Sequence, residues 1–532
     1  MQETGTQGAG TAPGSAVAQG FTLLQQGKLA EATQHCRALV LAHPADPQVM
    51  MLACEVRLAN GDLAGASEAA DAALAGMPGN AAVMLKKAHV LVLQRERAEA
   101  RQLASAAAAL APGDGRSQWA AGKIFANCGD AAAACPYYEA AIAAGMTHWA
   151  LNFDLASAQF FAGQFDAADR NLARVLAHVP GHGQAMYLRS VLRRQTRNDN
   201  HVADLQARLQ GKLASPADAA AGLYALAKEF EDLGEDAASF KALSDGAALK
   251  RRALNYDAAA ERASIDGLRS LYTAEVMARP TPGHEEEGAI FIVGMPRTGT
   301  TLAERMLASQ GEVGSAGELL DFGQLLALAA QEAQAAQPHL SVAEASLGID
   351  FAALGRRYMH AARQAAPGKR YFIDKMPINF MYCGILRKAL PKARIIHLVR
   401  DPMDTCYAVF KTLFYQAYPF SYDQAELAAY YATYRRLMQH WQAVMPGAIL
   451  DVRYEDLVTD TEAQARRMLD FCGLAWNPAV LDPSAHPGAI VSASAAQVRE
   501  PVHAGSVGKW RRHEAGLKPL RDRLAAEGFL AS

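Results

Sequence analysis

Chemistry is concentrated in one short stretch, FIVGMPRTGTTLAERML, where an apolar run leads into Gly294-Met-Pro-Arg-Thr-Gly299-Thr-Thr301 and then into a helical pattern. The two glycines keep the spacing of the loop G-x-x-x-x-G-K-[ST]. The lysine slot, however, holds Thr300, and an arginine, Arg297, sits two residues before the second glycine. Glycines let main-chain N–H groups approach an anion, and a helix N-terminus adds donors and a favourable dipole. Thr298, Thr300 and Thr301 contribute hydroxyls, and Arg297 contributes a fixed positive charge with several donors. The stretch reads as an anion site that dispenses with its lysine.

The missing lysine narrows the anion. Phosphoryl transfer from a triphosphate normally recruits that lysine together with Mg²⁺. A sulfuryl group carries less charge, so fewer cations suffice and no metal is expected. The elements that would carry such a loop follow from the rest of the second half. Strand-like runs AIFIVG, YFIDK, ARIIHLVRD and AILDVRYEDL alternate with helical patterns. Short apolar runs of this kind predict a parallel sheet covered by helices, with ligands beyond the carboxyl ends of the strands. Each run ends in residues with chemical potential: Arg297 to Thr301, Asp374-Lys375, Arg400-Asp401 and Tyr454-Glu455.

The first half is different, because it repeats. Gly27, Gly61, Arg95, Gly129 and Gly163 are spaced 34 residues apart, and so are Pro44, Pro78, Pro112, Met146 and Pro180. Each unit reads as two short helices, with the glycine at the turn between them and the proline breaking the chain before the next pair. The period and the glycine and proline positions are similar to those of the tetratricopeptide repeat. A stack of such units has a concave face on which a peptide or protein partner would bind. The register falters after Pro180, but LAKEFEDLGEDAASFKAL resembles one more unit. The organisation expected is a disordered tail at 1–16, a repeat solenoid at 17–249, a connector at 250–287 and an α/β domain at 288–532.

Composition agrees with a globular chain of more than one domain: 532 residues, 51% hydrophobic, 20% charged, net charge −2. So neutral a chain gives no reason to expect nucleic acid as a partner. No apolar run is long enough to span a bilayer, and the start lacks the pattern of a secretory signal. The seven scattered cysteines form no C-x-x-C pair. They suggest neither a zinc site nor a disulfide framework, and a cytoplasmic location is expected.

Three segments carry a resemblance to a known family. FIVGMPRTGTTLAERML resembles the 5′-phosphosulfate loop of sulfotransferases that use 3′-phosphoadenylyl sulfate, and RIIHLVRDPMDTCYAVFK resembles their 3′-phosphate strand and helix. HAGSVGKWRRH resembles their late G-x-x-G-x-W element, with Gly505, Gly508 and Trp510 in register. The tyrosylprotein sulfotransferase type, and bacterial proteins joining tetratricopeptide repeats to such a domain, are the most similar. The resemblance implies that Arg297, Thr298, Gly299, Thr300 and Thr301 bind the phosphosulfate and that Arg400 binds the 3′-phosphate. It further implies that Tyr454, Lys509, Trp510 and Arg511 complete the nucleotide site and that Lys375 stabilises the leaving oxygen. Two positions depart from the pattern. Ala408 stands where a serine usually meets the 3′-phosphate, a loss for which Lys411 or Thr405 would compensate, and Gly508 stands where the tyrosylprotein type has a serine.

Transfer to an acceptor hydroxyl requires a base within hydrogen-bond reach. Glu312, Glu318 and Asp321 follow the loop helix, and alignment from Arg297 places Glu318 on the catalytic glutamate of the tyrosylprotein type. Its neighbours Ala316, Gly317 and Leu319 are expected to bury one side of it. His397 ranks below it, because it alternates with the apolar positions of its strand. The reading is thus a sulfotransferase acting on an acceptor hydroxyl, a tyrosine or another phenol, with the repeats recruiting substrate or partner. Two alternatives stand beside it: a non-enzymatic repeat scaffold with an inactive nucleotide-binding domain, and a P-loop kinase, which Thr300 disfavours.

Overall fold

The computed structural model describes residues 13–211, 213–483 and 502–530. Two compact units are present, Met1–Leu151 and Asn152–Ser532. Most of the expected tail lies outside the described residues, but its last four positions do not. Pro13 opens a helix that runs to Gln25, with Val17 buried among Ala32, Cys36 and Val49. The apolar face of that segment gains more by packing than the polar composition suggested.

The first unit is a series of helix pairs: Pro13–Gln25 with Leu29–Ala42, Pro47–Ala59 with Leu63–Gly76, Ala81–Leu93 with Arg97–Leu110, and Gly115–Asn127 with Ala131–Ala143. The repeat register has a local cause. Gly27, Gly61 and Gly129 have φ of +73°, +77° and +83°, and Arg95 adopts the same left-handed turn at +69°. A further marker follows each proline by two residues: Asp46, Asn80 and Asp114 cap the next helix by accepting its first N–H groups. Side-chain space is open around Gly129, so substitution there tests the backbone alone. Gly129→Ala is expected to lower unfolding free energy by about 1 kcal/mol, and Arg95→Gly to recover part of that amount. Urea titration of each variant would check both.

The second unit holds helices Gly183–Val191, Pro216–Leu233 and Asp236–Ala253 and then a five-stranded parallel sheet. Its strands are β1 (Ala289–Gly294), β2 (Val313–Ser315), β3 (Tyr371–Asp374), β4 (Arg394–Val399) and β5 (Ile449–Arg453), in the order β2-β3-β1-β4-β5. Four of these are the expected runs. The fifth, β2, carries no apolar run and is fixed instead by its pairing with Tyr371–Ile373. On one face of the sheet Ile290, Ile292, Ile396, Leu398 and Val452 pack with Met306, Leu307 and Met468. The chain moves outward from β1 to β2 and β3, then crosses back to β4 and β5. The crevice between β1 and β4 is therefore the switch point at which α/β sheets bind ligands.

The compact division differs from the boundary expected at 249. The last helices of the repeat-like region fold with the sheet because their polar groups find partners there. The Tyr224 hydroxyl donates to the Phe410 carbonyl at 3.1 Å, Glu231 pairs with Lys411 at 2.6 Å, and Arg251 grips Glu426 with two bonds of 2.7 and 2.8 Å. The connector is likewise structured. Helices Ala258–Leu271 and Ala274–Ala278 precede β1, and Tyr272 is buried against Trp441 and Ser346. No helix among the described residues is long and apolar enough to cross a membrane.

Candidate active site at the carboxyl edge of the sheet

Parallel pairing brings the ends of β1 and β4 level, with Gly294 opposite Leu398. The chain leaves β1 through Met295 to Gly299 and enters the helix Thr300–Ala308. Arg297 holds a left-handed φ of +67°, and the Thr298 hydroxyl closes the turn by donating to the Met295 carbonyl at 2.8 Å. Gly299 has φ +97°, and a Cβ on it would lie 2.5 Å from the Tyr454 ring. Tyr454, the first residue after β5, thus lies over the loop, and only glycine fits beneath it. Gly299→Ala is expected to destabilise the fold by roughly 1–3 kcal/mol, combining backbone strain with the clash, as a thermal melt would show.

Arg400 is the first residue beyond β4, and its guanidinium ties the crevice together. It donates to the Arg297 carbonyl at 3.1 Å and to the Ser506 carbonyl at 2.6 Å, and it lies 4.7 Å from the centre of the Tyr454 ring. Its Nε is buried and has no hydrogen-bond partner among the described residues. Burial lowers the Arg297 guanidinium from its ordinary pKa; Tyr187, Tyr454 and Glu318 oppose that shift, while the like charge of Arg400 adds to it. Two desolvated guanidinium groups that repel one another form a site that an anion would stabilise.

Lys375 follows β3 and is almost wholly buried, at 1% exposure. Its ammonium hydrogen-bonds to Glu318 and lies 3.9 Å from Glu304. Burial disfavours the ammonium, but the carboxylates of Glu318 and Glu304 outweigh it and hold the pKa above its usual value. Glu304, on the loop helix, also accepts from Ser315 at 2.5 Å, and burial raises its pKa. Asp374 takes no direct part in the lysine's ion pairs. It receives the Tyr358 hydroxyl at 2.7 Å and Asn379 at 3.2 Å, and burial pushes its pKa up to about 7.

Glu318 sits in the loop after β2, outside any helix, and is exposed; a third of its side chain is accessible. The expected burial by Ala316, Gly317 and Leu319 is therefore not found, since only Leu319 turns into the core. The pair with Lys375 orients the carboxylate instead. His397 is held away from this group. Its ring is buried between Asp451, at 2.8 Å, and the Tyr434 hydroxyl, and burial lowers its pKa. Both ring nitrogens are engaged.

The late loop reaches the crevice through its backbone. Ser506 accepts from Arg400, and the Gly508 N–H donates to Asp404 at 2.6 Å. Lys509 begins a short helical turn, and burial lowers its pKa, with Lys411 and Arg512 adding repulsion and Glu231 opposing them. Trp510 is half-buried with the Arg511 guanidinium 5.1 Å from its ring, and Arg511 itself is exposed. Both proposed substitutes for the missing serine have partners of their own: Lys411 is paired with Glu231, and the Thr405 hydroxyl donates to the Arg400 carbonyl at 3.3 Å. Ala408 is buried, at 9% exposure. Sequence reasoning missed Glu304, whose signal was a carboxylate inside the apolar stripe of the loop helix, and Asp404, which anchors the late loop. Among the described residues no cluster of three or more histidine, cysteine, aspartate or glutamate residues is arranged to hold a metal ion.

Residues 289–478, which include Arg297, Glu318, Lys375 and Arg400, match the family model described as "Sulfotransferase family". An uncharacterised protein of Aquifex aeolicus is 30% identical over 339 residues, covering 62% of this chain and 44% of its own length. The protein-tyrosine sulfotransferase of Drosophila melanogaster is 26% identical over 249 residues, covering 43% of this chain and 48% of its own. This chain therefore spans less than half the length of these two relatives. Among solved structures, the sulfotransferase domain from the Synechococcus PCC 7002 olefin synthase aligns at 23% identity and a TM-score of 0.33, covering 48% of this chain and 99% of that one.

Proposed function

We propose that the protein transfers a sulfuryl group from 3′-phosphoadenylyl sulfate to an acceptor hydroxyl, a tyrosine or another phenol. The observation that supports this most is the convergence of Arg297 and Arg400 in the β1–β4 crevice, with the buried Nε of Arg400 lacking a hydrogen-bond partner among the described residues. The loop at Arg297 to Thr301 would hold the phosphosulfate, and Arg400 the 3′-phosphate, beneath Tyr454 and the late loop with Lys509, Trp510 and Arg511. In the reaction the acceptor oxygen bonds to sulfur as the bond from sulfur to the bridging phosphate oxygen breaks. The electron pair stays on the phosphate, where Lys375 supplies positive charge. The hydroxyl proton goes to Glu318. Because Glu318 and Lys375 share one ion pair, a lysine drawn toward the leaving oxygen would free the carboxylate to act as base.

The relatives' printed names support the acceptor class, and the absence of a lysine from the loop at Thr300 supports the donor. The helix pairs of the first unit would recruit a peptide or protein partner. Calorimetric titration of the full chain with adenosine 3′,5′-bisphosphate and with adenosine triphosphate tests the donor: tight binding of the first and weak binding of the second is expected. The reverse order would favour a kinase, and binding of neither would favour a non-enzymatic scaffold.

A further inference from the structure

The late loop is fastened at both ends, and one fastening comes from the helices that precede the sheet. At the crevice the Ser506 carbonyl accepts from Arg400 at 2.6 Å, and the Gly508 N–H donates to Asp404 at 2.6 Å. The turn Lys509–His513 then carries the chain along the helix Pro402–Phe410, from Asp404 to Tyr407. Those two residues lie one helical turn apart and share a face. At the far end of the turn the His513 ring is buried. It meets the Tyr407 ring at 5.1 Å and stacks on Phe240 at 5.4 Å, with 27° between the planes.

Phe240 belongs to the helix Asp236–Ala253, which precedes β1 in the chain. A Cβ on Gly516 would lie 2.2 Å from the Phe240 ring, so only glycine lets the loop pass this close. The His513 Nε2 is buried with no hydrogen-bond partner among the described residues, so ring contacts rather than a bond at that atom hold the side chain. Tyr407 is braced from the neighbouring helix, Pro216–Leu233. Its hydroxyl donates to Glu231 at 3.4 Å, and Glu231 also takes the Lys411 ammonium at 2.6 and 2.9 Å. The two helices thus supply one of the rings against His513 and steady the other.

We infer that Phe240 is a positioning residue for the donor nucleotide: stacked on His513, it keeps the late loop where the Ser506 carbonyl orients the Arg400 guanidinium toward the 3′-phosphate. The helices before the sheet are then part of the donor site. An arginine held by two carbonyls, those of Arg297 and Ser506, is set in one orientation before the anion arrives. The inference rests on the role proposed for Arg400. Calorimetry of the full chain with adenosine 3′,5′-bisphosphate and with adenosine 5′-monophosphate, which lacks the 3′-phosphate, separates positioning from general damage to the fold. Phe240→Ala is expected to weaken the bisphosphate about threefold to tenfold, the scale of a lost ring pair, while the monophosphate stays within about twofold and Phe240→Tyr restores most of the affinity. In an Arg400→Ala background the same substitution should weaken binding by less than about twofold more, since its effect passes through Arg400. Where Phe240→Ala fails to fold, Phe240→Leu removes the ring and keeps apolar bulk. Unchanged bisphosphate affinity in the variant that folds, an equal loss for the monophosphate, or full additivity with Arg400→Ala overturns the inference alone. Failure of the wild type to bind bisphosphate overturns the proposed function, and the inference with it.

Discussion

Glu318→Ala is expected to lower turnover by about a thousandfold, within the range typical of a lost general base, while adenosine 3′,5′-bisphosphate binds within about twofold of the wild type. The geometry makes this separation achievable. Glu318 is exposed and lies after β2, whereas Arg400 and Tyr454 follow β4 and β5. Its loss would not strand the buried ammonium of Lys375, because Glu304 remains 3.9 Å away. Breaking a buried ion pair outright would cost several kcal/mol and obscure the kinetic effect. Single-turnover rates with a phenolic acceptor, paired with calorimetry, would measure both quantities. Full activity in the variant would refute the base assignment and return attention to Lys375 and the donor loop.

The second large effect belongs to Arg400. Arg400→Ala should weaken adenosine 3′,5′-bisphosphate by about a hundredfold, because a charge-assisted hydrogen-bonding group contributes roughly 1.5–3 kcal/mol and its removal leaves other buried groups unpaired. Arg400 bridges three elements: the loop after β1 at Arg297, the late loop at Ser506 and the ring of Tyr454. Losing it also leaves Asp404 buried without its nearby cation, 3.9 Å away. Arg400→Lys is expected to recover little affinity, since an ammonium cannot span the two carbonyls and lie flat against a ring. Bisphosphate titration of both variants measures this; affinity unchanged in Arg400→Ala would mean that the 3′-phosphate lies elsewhere.

Much of the fold was legible because it is written in short-range patterns. The 34-residue register of glycine and proline marks the helix pairs, and the structure shows that the glycine slot is a left-handed turn that Arg95 also adopts. The runs ending at Gly294, Asp374 and Val399 are strands because short, mostly apolar, β-branched segments fill the buried middle of a parallel sheet, and the run ending at Arg453 adds a half-buried edge strand. The turn from β1 into the helix Thr300–Ala308 was equally legible, since glycines at fixed spacing mark a tight strand-to-helix turn. What eluded the sequence depends on partners distant in the chain. Strand β2 exists because β3 offers it a free edge, and Glu304 matters because Lys375 is buried beside it.

The sequence alone determined the repeat architecture, the parallel sheet and which residue types stand at its carboxyl edge, because helix turns, strands and strand-to-helix loops are encoded by residues near one another. Only the tertiary structure decided which side chains meet. It exposed Glu318 and paired it with Lys375, enclosed His397 between Asp451 and Tyr434, and turned Lys411 to Glu231. It also set Tyr187 against Leu413 and Tyr415 from a helix with no motif to mark it. Burial, ion pairing and ring packing are set by the three-dimensional neighbourhood, and that neighbourhood is assembled from segments whose separation in the chain no local pattern spans.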